Sequence, residues 1–191
     1  MFGDSESLGT WDARTIVTNM FPLLVVLCTI VLWAGITLEE AEHLLNEFGL
    51  LAVMVPTMVG AGGNLGTILS SRLTTRLHLG TTELDFHDRI LWANVAAVLA
   101  LAVTIFTTLA VGAWAIGRVI GASLSLSALL TISIVSGMSV AVLAVLFSFA
   151  TTYGSYRLGI DPDDTTIPVV TNVVDVFGMV IFLGVSRLVL L

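Results

Sequence analysis

Five long apolar runs constrain the fold of this chain more than any other feature of its sequence. Each is close to the ~20 residues that an α-helix needs to cross a bilayer. The runs lie at about 16–36, 48–70, 91–115, 128–151 and 166–190. Because 57% of the residues are hydrophobic and only 11% are charged, a water-soluble fold is excluded. The sequence therefore predicts an all-α integral membrane protein, a multi-pass protein of the cell membrane with five transmembrane helices.

The arginines predict how these helices are oriented. With the N-terminus in the cytoplasm, five of the seven arginines lie inside, and only Arg118 and Arg187 lie outside. Cytoplasmic loops carry an excess of basic residues, so we expect an N-in, C-out orientation. Residues 1–15 are then a short cytoplasmic tail and residues 16–191 the transmembrane domain, and we expect no cytoplasmic regulatory domain.

The charge balance bears on partners and on enzymatic activity. The chain has fourteen acidic residues, seven arginines and no lysine, so its net charge is −7. It contains no basic run suited to binding nucleic acid. This composition is typical of a salt-loving prokaryote, although base composition alone would also explain the arginines. The sequence lacks HExxH, GxSxG and P-loop motifs, so we do not expect an enzyme. An enzyme acting on lipid-linked phosphate is the distant alternative.

The second run, "VPTMVGAGGNLGTILSSRL", contains an unusual polar stripe. Its small and polar residues recur at spacings of three and four, which places them on one helix face. The stripe comprises Pro56, Gly60, Gly63, Asn64, Thr67, Ser71 and Thr74. Irregular or polar segments at membrane depth are tolerated only against protein or a wet cavity. The stripe predicts either the lining of an ion path or close helix packing, and both interpretations stay open.

The fifth run, "DPDDTTIPVVTNVVDVFGMVIF", contains the one carboxylate that lies well inside a predicted span. Pro168 marks the predicted helix start, and Asn172, Asp175 and Gly178 follow on one face. An ionised Asp175 at this depth costs about 3 kcal/mol or more unless it is hydrated or paired. The residue is expected to face water and a cation, the alternative being a neutral Asp175 hydrogen-bonded to another helix.

Acidic clusters flank the spans and are candidates for accessory cation binding. Glu39, His43 and Glu47 are expected to share one helix face. Further acidic groups lie in "DPDDTT" and in the loop "ELDFHD", and a solvated acidic surface is the alternative interpretation for each cluster. We expect His78 to be an interfacial residue rather than a ligand. The candidate accessory residues are Asp161, Asp163, Asp164, Glu39 and Glu47.

Two GxxxG spacings allow close approach of helices. They pair Gly62 with Gly66 and Gly117 with Gly121. Five helices enclose only a narrow path, so a dimer is expected, and either spacing is suited to a dimer contact. Ordinary packing within one subunit is an equally good interpretation of both.

Taken together, the second and fifth runs resemble the membrane domain of the MgtE family of magnesium channels and transporters, which includes eukaryotic solute-carrier relatives. The number and orientation of the spans agree with that family. In the second run the resemblance is carried by Pro56, Gly63, Asn64, Leu65, Ser71, Arg72, Leu73, Thr75 and Gly80. In the fifth it is carried by Asp161, Pro162, Asp163, Pro168 and Asp175.

The resemblance implies a symmetric homodimer that conducts or transports Mg²⁺. The ion path would follow the two-fold axis between the second and fifth helices, and Asp175 of both subunits would face the ion. Mn²⁺, Co²⁺ and Ni²⁺ form hydrated ions of similar size, so selectivity stays open. The candidate residues of the path are Asp175, Asn64, Asn172, Gly63, Gly60, Thr67 and Gly178.

Several alternatives to this function stay open. The chain is either complete as a homodimer or a half-subunit that needs a different, paralogous partner, and a non-transporting structural subunit is a further alternative. The family's bacterial channels place large magnesium-sensing domains before the first helix, and we expect no gating by such a domain here. A channel and a proton- or sodium-coupled exchanger would use the same Asp175, so the sequence does not separate them.

Overall fold

A computed structural model of the protein describes residues 13–80 and 88–191, apart from the side chains of residues 13–16 and 19. Most of the predicted N-terminal tail, and Glu83, Asp85 and His87 of the acidic loop, lie outside these described residues. Within them every regular element is an α-helix. The helices are α1 (Ala13–Glu40), α2 (Glu42–Glu47), α3 (Gly49–His78), α4 (Arg89–Ile120), α5 (Leu126–Leu158) and α6 (Pro162–Leu190).

Five of these helices are long and apolar enough to cross a membrane, which confirms the predicted all-α fold with five spans. The candidate spans are residues Met20–Glu40 of α1 and the whole of α3, α4, α5 and α6. Helix α3 has 30 residues and is therefore about 45 Å long, well beyond the ~30 Å hydrocarbon core. The predicted span ended at about residue 70, and the helix continues through the more polar residues up to His78.

Helix α6 begins at Pro162, so the prediction that it starts at Pro168 is wrong. Asp161 is the N-cap residue, and its Oδ1 accepts a hydrogen bond from the Asp163 backbone N–H at 3.0 Å. Proline is well suited to the first helical position, and acidic residues in the first turn favour the helix dipole. Pro168 lies within the helix, where its missing N–H frees only the carbonyl of Asp164. The capping signal therefore decides the helix start.

The expected shared face of Glu39, His43 and Glu47 is also wrong, because no single helix carries all three residues. Helix α1 ends at Glu40 and the short α2 begins at Glu42, with a turn at Ala41 between them. The bend places Ala41 in the core, where it is 2% exposed. His43 and Glu47 remain neighbours on α2, with 3.7 Å between Nδ1 and Oε2. Glu39 lies on a different helix.

Helix α5 is the centre of the bundle: α3, α4 and α6 all pack on it, and α1 packs on α6. Glycines permit the closest approaches. A Cβ added at Gly62 would lie 2.5 Å from Val140 of α5 and 2.8 Å from Val174 of α6. A Cβ at Gly66 would lie 2.5 Å from Val170. The first GxxxG spacing is therefore used for packing within one subunit.

The second GxxxG spacing also has an internal role. A Cβ added at Gly117 would lie 3.0 Å from Leu50 Cδ2, so this glycine packs α4 on the start of α3. Gly121 ends α4 with a φ of +78°, a left-handed conformation that favours glycine. The second GxxxG spacing is therefore also used within one subunit.

Buried hydroxyl groups join the helices where lipid offers no hydrogen-bond partner. Ser133 Oγ of α5 donates to the Phe106 carbonyl of α4 at 2.7 Å. Ser70 Oγ of α3 donates to Ser148 Oγ of α5 at 3.0 Å. The first bond joins α4 to α5, and the second joins α3, which carries the polar stripe, to α5.

Candidate cation site

The middle of α3 meets the middle of α6. Asn64 lies near the centre of the 30-residue α3, and Asp175 lies at the centre of the 29-residue α6, about 20 Å from either end. A Cβ added at Gly63 would lie 4.0 Å from Asp175 Oδ1 and 3.9 Å from Thr171 Cγ2. The structure thus brings Gly63 and Asp175, which the sequence predicted as path residues on separate spans, into direct proximity.

Asp175 is partly exposed and has no protein partner in the described part of the chain. Its carboxylate forms neither a hydrogen bond nor an ion pair with residues 13–80 or 88–191. The alternative expectation, a neutral Asp175 hydrogen-bonded to another helix, therefore finds no support within a single subunit. A carboxylate at this depth without a partner needs water, a proton or a cation.

Two amide side chains are neighbours of this pair in sequence: Asn64 follows Gly63 on α3, and Asn172 lies one turn before Asp175 on α6. Asn64 is exposed and forms no hydrogen bond with the described residues. Asn172, one turn before Asp175 on α6, donates from Nδ2 to the Pro168 carbonyl at 2.8 Å. The Asn172 amide oxygen accepts no hydrogen bond from the described residues and stays available as an acceptor. Amide oxygens of this kind accept hydrogen bonds from the water shell of a cation.

The other residues of the stripe do not all lie beside Gly63 and Asp175: Thr74 is buried at 1% exposure, and Ser71 lines a separate cavity between α3 and α4. Thr67 Oγ1 donates to the Gly63 carbonyl at 3.0 Å, which satisfies the hydroxyl within its own helix. Gly60 is exposed, and a Cβ added there would meet no heavy atom within 4 Å. Thr171 was not singled out in the sequence, although its position four residues before Asp175 places it on the same face. The exposed part of α3 at this depth therefore includes the small Gly60 and the polar Asn64.

Gly178 is the candidate path residue that lies apart from the others. It is buried, and a Cβ added there would lie 3.5 Å from Val140 Cγ2 of α5. Three residues correspond to 300° of helix rotation, so Gly178 is turned about 60° from Asp175. This rotation is sufficient to direct it into the packing between α5 and α6.

The acidic start of α6 lies against the end of α3. His78 approaches both carboxylates of this segment, with 3.4 Å from Nε2 to Asp161 Oδ1 and 3.5 Å from Nδ1 to Asp163 Oδ2. All three side chains are exposed. The expectation that His78 is only an interfacial residue missed this contact, because the two segments are far apart in sequence. Asp164 borders a neighbouring cavity together with Asp161.

Glu39 and Glu47 lie at the opposite end of the bundle from His78. At that end Arg187 Nη2 donates to the Glu40 carbonyl at 2.9 Å and joins the end of α6 to the end of α1. The candidate accessory residues therefore divide into two separate groups, one at each end of the spans. The structure does not connect either group to Asp175.

Comparison with known proteins identifies the family. A family model described as "MgtE: Divalent cation transporter" matches residues 55–185, which include Asn64, Asp175 and the acidic segment between α5 and α6. The magnesium transporter MgtE of Thermus thermophilus is 31% identical over the whole chain, which covers 39% of that protein. Solute carrier family 41 member 3 of Mus musculus is 27% identical over 77% of the chain and 31% of its own length.

The chain thus spans less than two fifths of the length of these two relatives. Both relatives are named as carriers or transporters rather than enzymes. The match covers four of the five apolar spans in full or nearly so, including the two that meet at Asp175. With its five membrane-crossing helices, the chain is a multi-pass membrane protein that belongs to the MgtE family of divalent cation transporters.

Proposed function

We propose that this chain transports Mg²⁺ across the cell membrane as a homodimer with its N-terminus in the cytoplasm. The observation that carries the proposal is Asp175, a carboxylate at mid-membrane depth with no partner among the described residues and with Gly63 beside it. The family match and the name of the Thermus thermophilus relative support a divalent cation, and Mg²⁺ in particular. The arginine distribution supports the orientation.

The chemistry of the site is suited to a hydrated Mg²⁺. This ion demands octahedral geometry at ~2.0–2.1 Å and releases its water reluctantly, so proteins tend to hold it through one or two carboxylates while several waters remain. Two copies of Asp175, one from each subunit, would offset the charge of +2. The amide oxygens of Asn64 and Asn172 would accept hydrogen bonds from the retained waters.

A second subunit is needed because one subunit leaves the site open. Gly60 and Asn64 are exposed, and Asp175 is only partly covered. Hydrocarbon cannot hydrate an ion or satisfy these polar groups, so a protein surface must cover them. A second copy, related by a two-fold axis beside α3 and α6, would cover them and supply the second carboxylate.

The ends of the path concentrate cations rather than select them. Asp161 and Asp163 at one end, and Glu39 and Glu47 at the other, are exposed acidic groups, and Asp164 is a partly buried one. These groups attract divalent ions through long-range electrostatics. Mn²⁺, Co²⁺ and Ni²⁺ would follow the same path, since these ions match Mg²⁺ in hydrated size and bind ligands more tightly. Origin in a salt-adapted prokaryote stays a prediction from composition.

The proposal is tested with proteoliposomes that contain only this chain. An internal Mg²⁺ indicator reports uptake, with and without a proton or sodium gradient, and empty liposomes are the control. We expect uptake by the chain alone. Absence of uptake that is restored by adding a paralogous chain would replace the homodimer with a heterodimer.

Cross-linking tests the dimer axis separately from transport. In a Cys28→Ser background, Asn64→Cys should form a disulfide-linked dimer in the membrane, because Asn64 would face its partner copy across the proposed axis. Leu101→Cys is the matched control, since Leu101 lies near the middle of α4 and is 44% exposed on a different helix. Equal cross-linking at both positions, or activity of a strictly monomeric protein, would overturn the proposed axis.

A further inference from the structure

A polar cavity of about 310 Å³ lies between α3 and α4, away from Asp175. It is open to the surface and is lined by two hydroxyl side chains, two arginines and an amide. The lining residues are Ser71, Arg72, Thr75, Arg76 and Asn94. Such a concentration of hydrogen-bond donors on a protein that is otherwise acidic and apolar points to an anionic ligand.

The cationic groups of this cavity are held in place by α4. Arg72 Nη1 donates to Asn94 Oδ1 at 2.9 Å, and Asn94 Nδ2 in turn donates to the Ile90 carbonyl at 2.8 Å. The single amide thus fixes one edge of the guanidinium. The other N–H groups of Arg72 form no bond with the described residues, and the side chain is exposed.

The second arginine contributes less net charge. Arg76 Nη2 forms an ion pair with Asp88 Oδ2 at 2.5 Å, and the Arg76 side chain is only 16% exposed. Asp88 therefore offsets the charge of Arg76, and Arg72 supplies the net positive charge of the cavity. Ser71 and Thr75 donate to backbone carbonyls of their own helix at 3.2 and 2.7 Å, and they add a polar wall without charge.

The position of the cavity favours a lipid as the source of the anion. It lies in the last turns of α3 and the first turns of α4, where both helices leave the apolar core. Trp92 and Ile90, which precede Asn94 in the first turns of α4, are 56% and 59% exposed. Tryptophan at a span end lies at head-group depth, and the arginine distribution places this end in the cytoplasmic leaflet.

We propose that this cavity binds a phosphate group, with Arg72 as its principal contact, and that an anionic phospholipid head group supplies the phosphate. The two N–H edges of the guanidinium fork match two phosphate oxygens in a bidentate arrangement. In a zwitterionic head group the ammonium partly offsets the charge of the phosphate, so its attraction to Arg72 is weaker. The exposed Ile90 and Trp92 in the first turns of α4 would then contact the acyl chains, and a free phosphate ion would gain no such contact.

Thermal unfolding of the whole chain in detergent tests this site. Added phosphatidylglycerol should raise the melting temperature on the order of 3–6 °C once its concentration is about tenfold above its Kd. Phosphatidylcholine, and inorganic phosphate at the same phosphate concentration, should produce much smaller shifts. If phosphatidylcholine matched phosphatidylglycerol, no anion site would exist, and if inorganic phosphate matched it, the lipid would be excluded as the source.

Two arginine variants and a control locate the effect. Arg72→Gln should lose the phosphatidylglycerol shift, and Arg72→Lys should retain part of it because the charge stays while the fork is lost. Arg157→Gln is the control, because Arg157 lies at the same end of the bundle but stacks on Tyr153 at 5.0 Å. If Arg72→Gln lowered the melting temperature equally in every lipid and kept the full shift, Arg72 would be only a link between helices, and the proposal would be wrong.

Discussion

Two adjacent glycines of α3 give the sharpest test of the contact between α3 and α6. A methyl group added by Gly62→Ala would lie 2.5 Å from Val140 and 2.8 Å from Val174, two stiff β-branched side chains on different helices. A methyl group added by Gly63→Ala would meet only ordinary contacts, at 3.9 Å from Thr171 and 4.0 Å from Asp175. Alanine at position 62 would therefore clash with packed side chains, whereas alanine at position 63 would make only ordinary van der Waals contacts.

The expected magnitudes follow from this geometry. Both variants gain roughly 1 kcal/mol from replacing glycine within a helix, so that gain cancels between them. Overpacking at Gly62 costs about 1–3 kcal/mol, and this cost is the expected difference in unfolding free energy between the two variants. Melting curves in detergent should place Gly62→Ala several °C below Gly63→Ala.

At Gly63 the substitution should slow Mg²⁺ transport although it does not lower the stability of the protein. The added methyl occupies space 4.0 Å from Asp175 Oδ1, where the waters of a hydrated ion are expected. Gly63→Ala should therefore be as stable as the unchanged chain or more so, yet take up Mg²⁺ more slowly in proteoliposomes. A Gly62→Ala variant as stable as Gly63→Ala would refute the packing geometry, and an unchanged rate for Gly63→Ala would refute an ion beside this glycine.

Three further outcomes are expected. Asn64→Ala removes an exposed amide and no charge, so Mg²⁺ uptake should fall while the melting temperature changes little; an unchanged rate would make the stripe a packing surface. Asp163→Asn should slow uptake at low ionic strength but not near 1 M salt, where the Debye length is about 3 Å. The pKa of Asp88 is lowered, first by the hydrogen bond from the Ile90 backbone N–H and then by Arg76. The ionised Asp88 therefore stabilises the fold at neutral pH, and this stabilisation is lost as the pH falls and the carboxylate is protonated in the folded protein. Asp88→Asn should flatten that acid-dependent loss of melting temperature.

The sequence was sufficient to predict the spans and the depth of Asp175, because both depend on local hydrophobicity. A run of about twenty apolar residues has few alternatives to crossing the bilayer. One carboxylate within such a run is conspicuous for the same reason. The helix start at Pro162 was missed because Pro168 offers a similar local signal, and only the cap formed by Asp161 separates the two.

Contacts between distant segments could not be predicted from the same local patterns. His78 approaches Asp161 and Asp163 only because α3 and α6 pack side by side. Gly178 follows the spacing of a path residue, yet a rotation of about 60° is enough to turn it towards Val140. Such outcomes depend on how α5 lies between its neighbours, which no spacing within one helix encodes.

The central claim is that Asp175 offsets the charge of the transported ion, and Asp175→Asn tests it most directly. The substitution keeps the size of the side chain and removes one charge from each subunit. Asp164→Asn is the matched control, because it makes the same change in the first turn of the same helix. Uptake of Mg²⁺ by proteoliposomes of each variant is the measurement, with melting curves in metal-free detergent to confirm folding.

We expect Asp175→Asn to reduce uptake roughly tenfold or more, since a contact to a charged group contributes about 1.5–3 kcal/mol and each 1.4 kcal/mol is a factor of ten. Its melting temperature without metal should equal or exceed that of the unchanged chain, because an ionised carboxylate in the membrane is costly when no cation is bound. Near 1 M salt, which screens the acidic ends of the path, Asp164→Asn should transport at nearly the original rate. Transport by Asp175→Asn at the original rate would contradict the account.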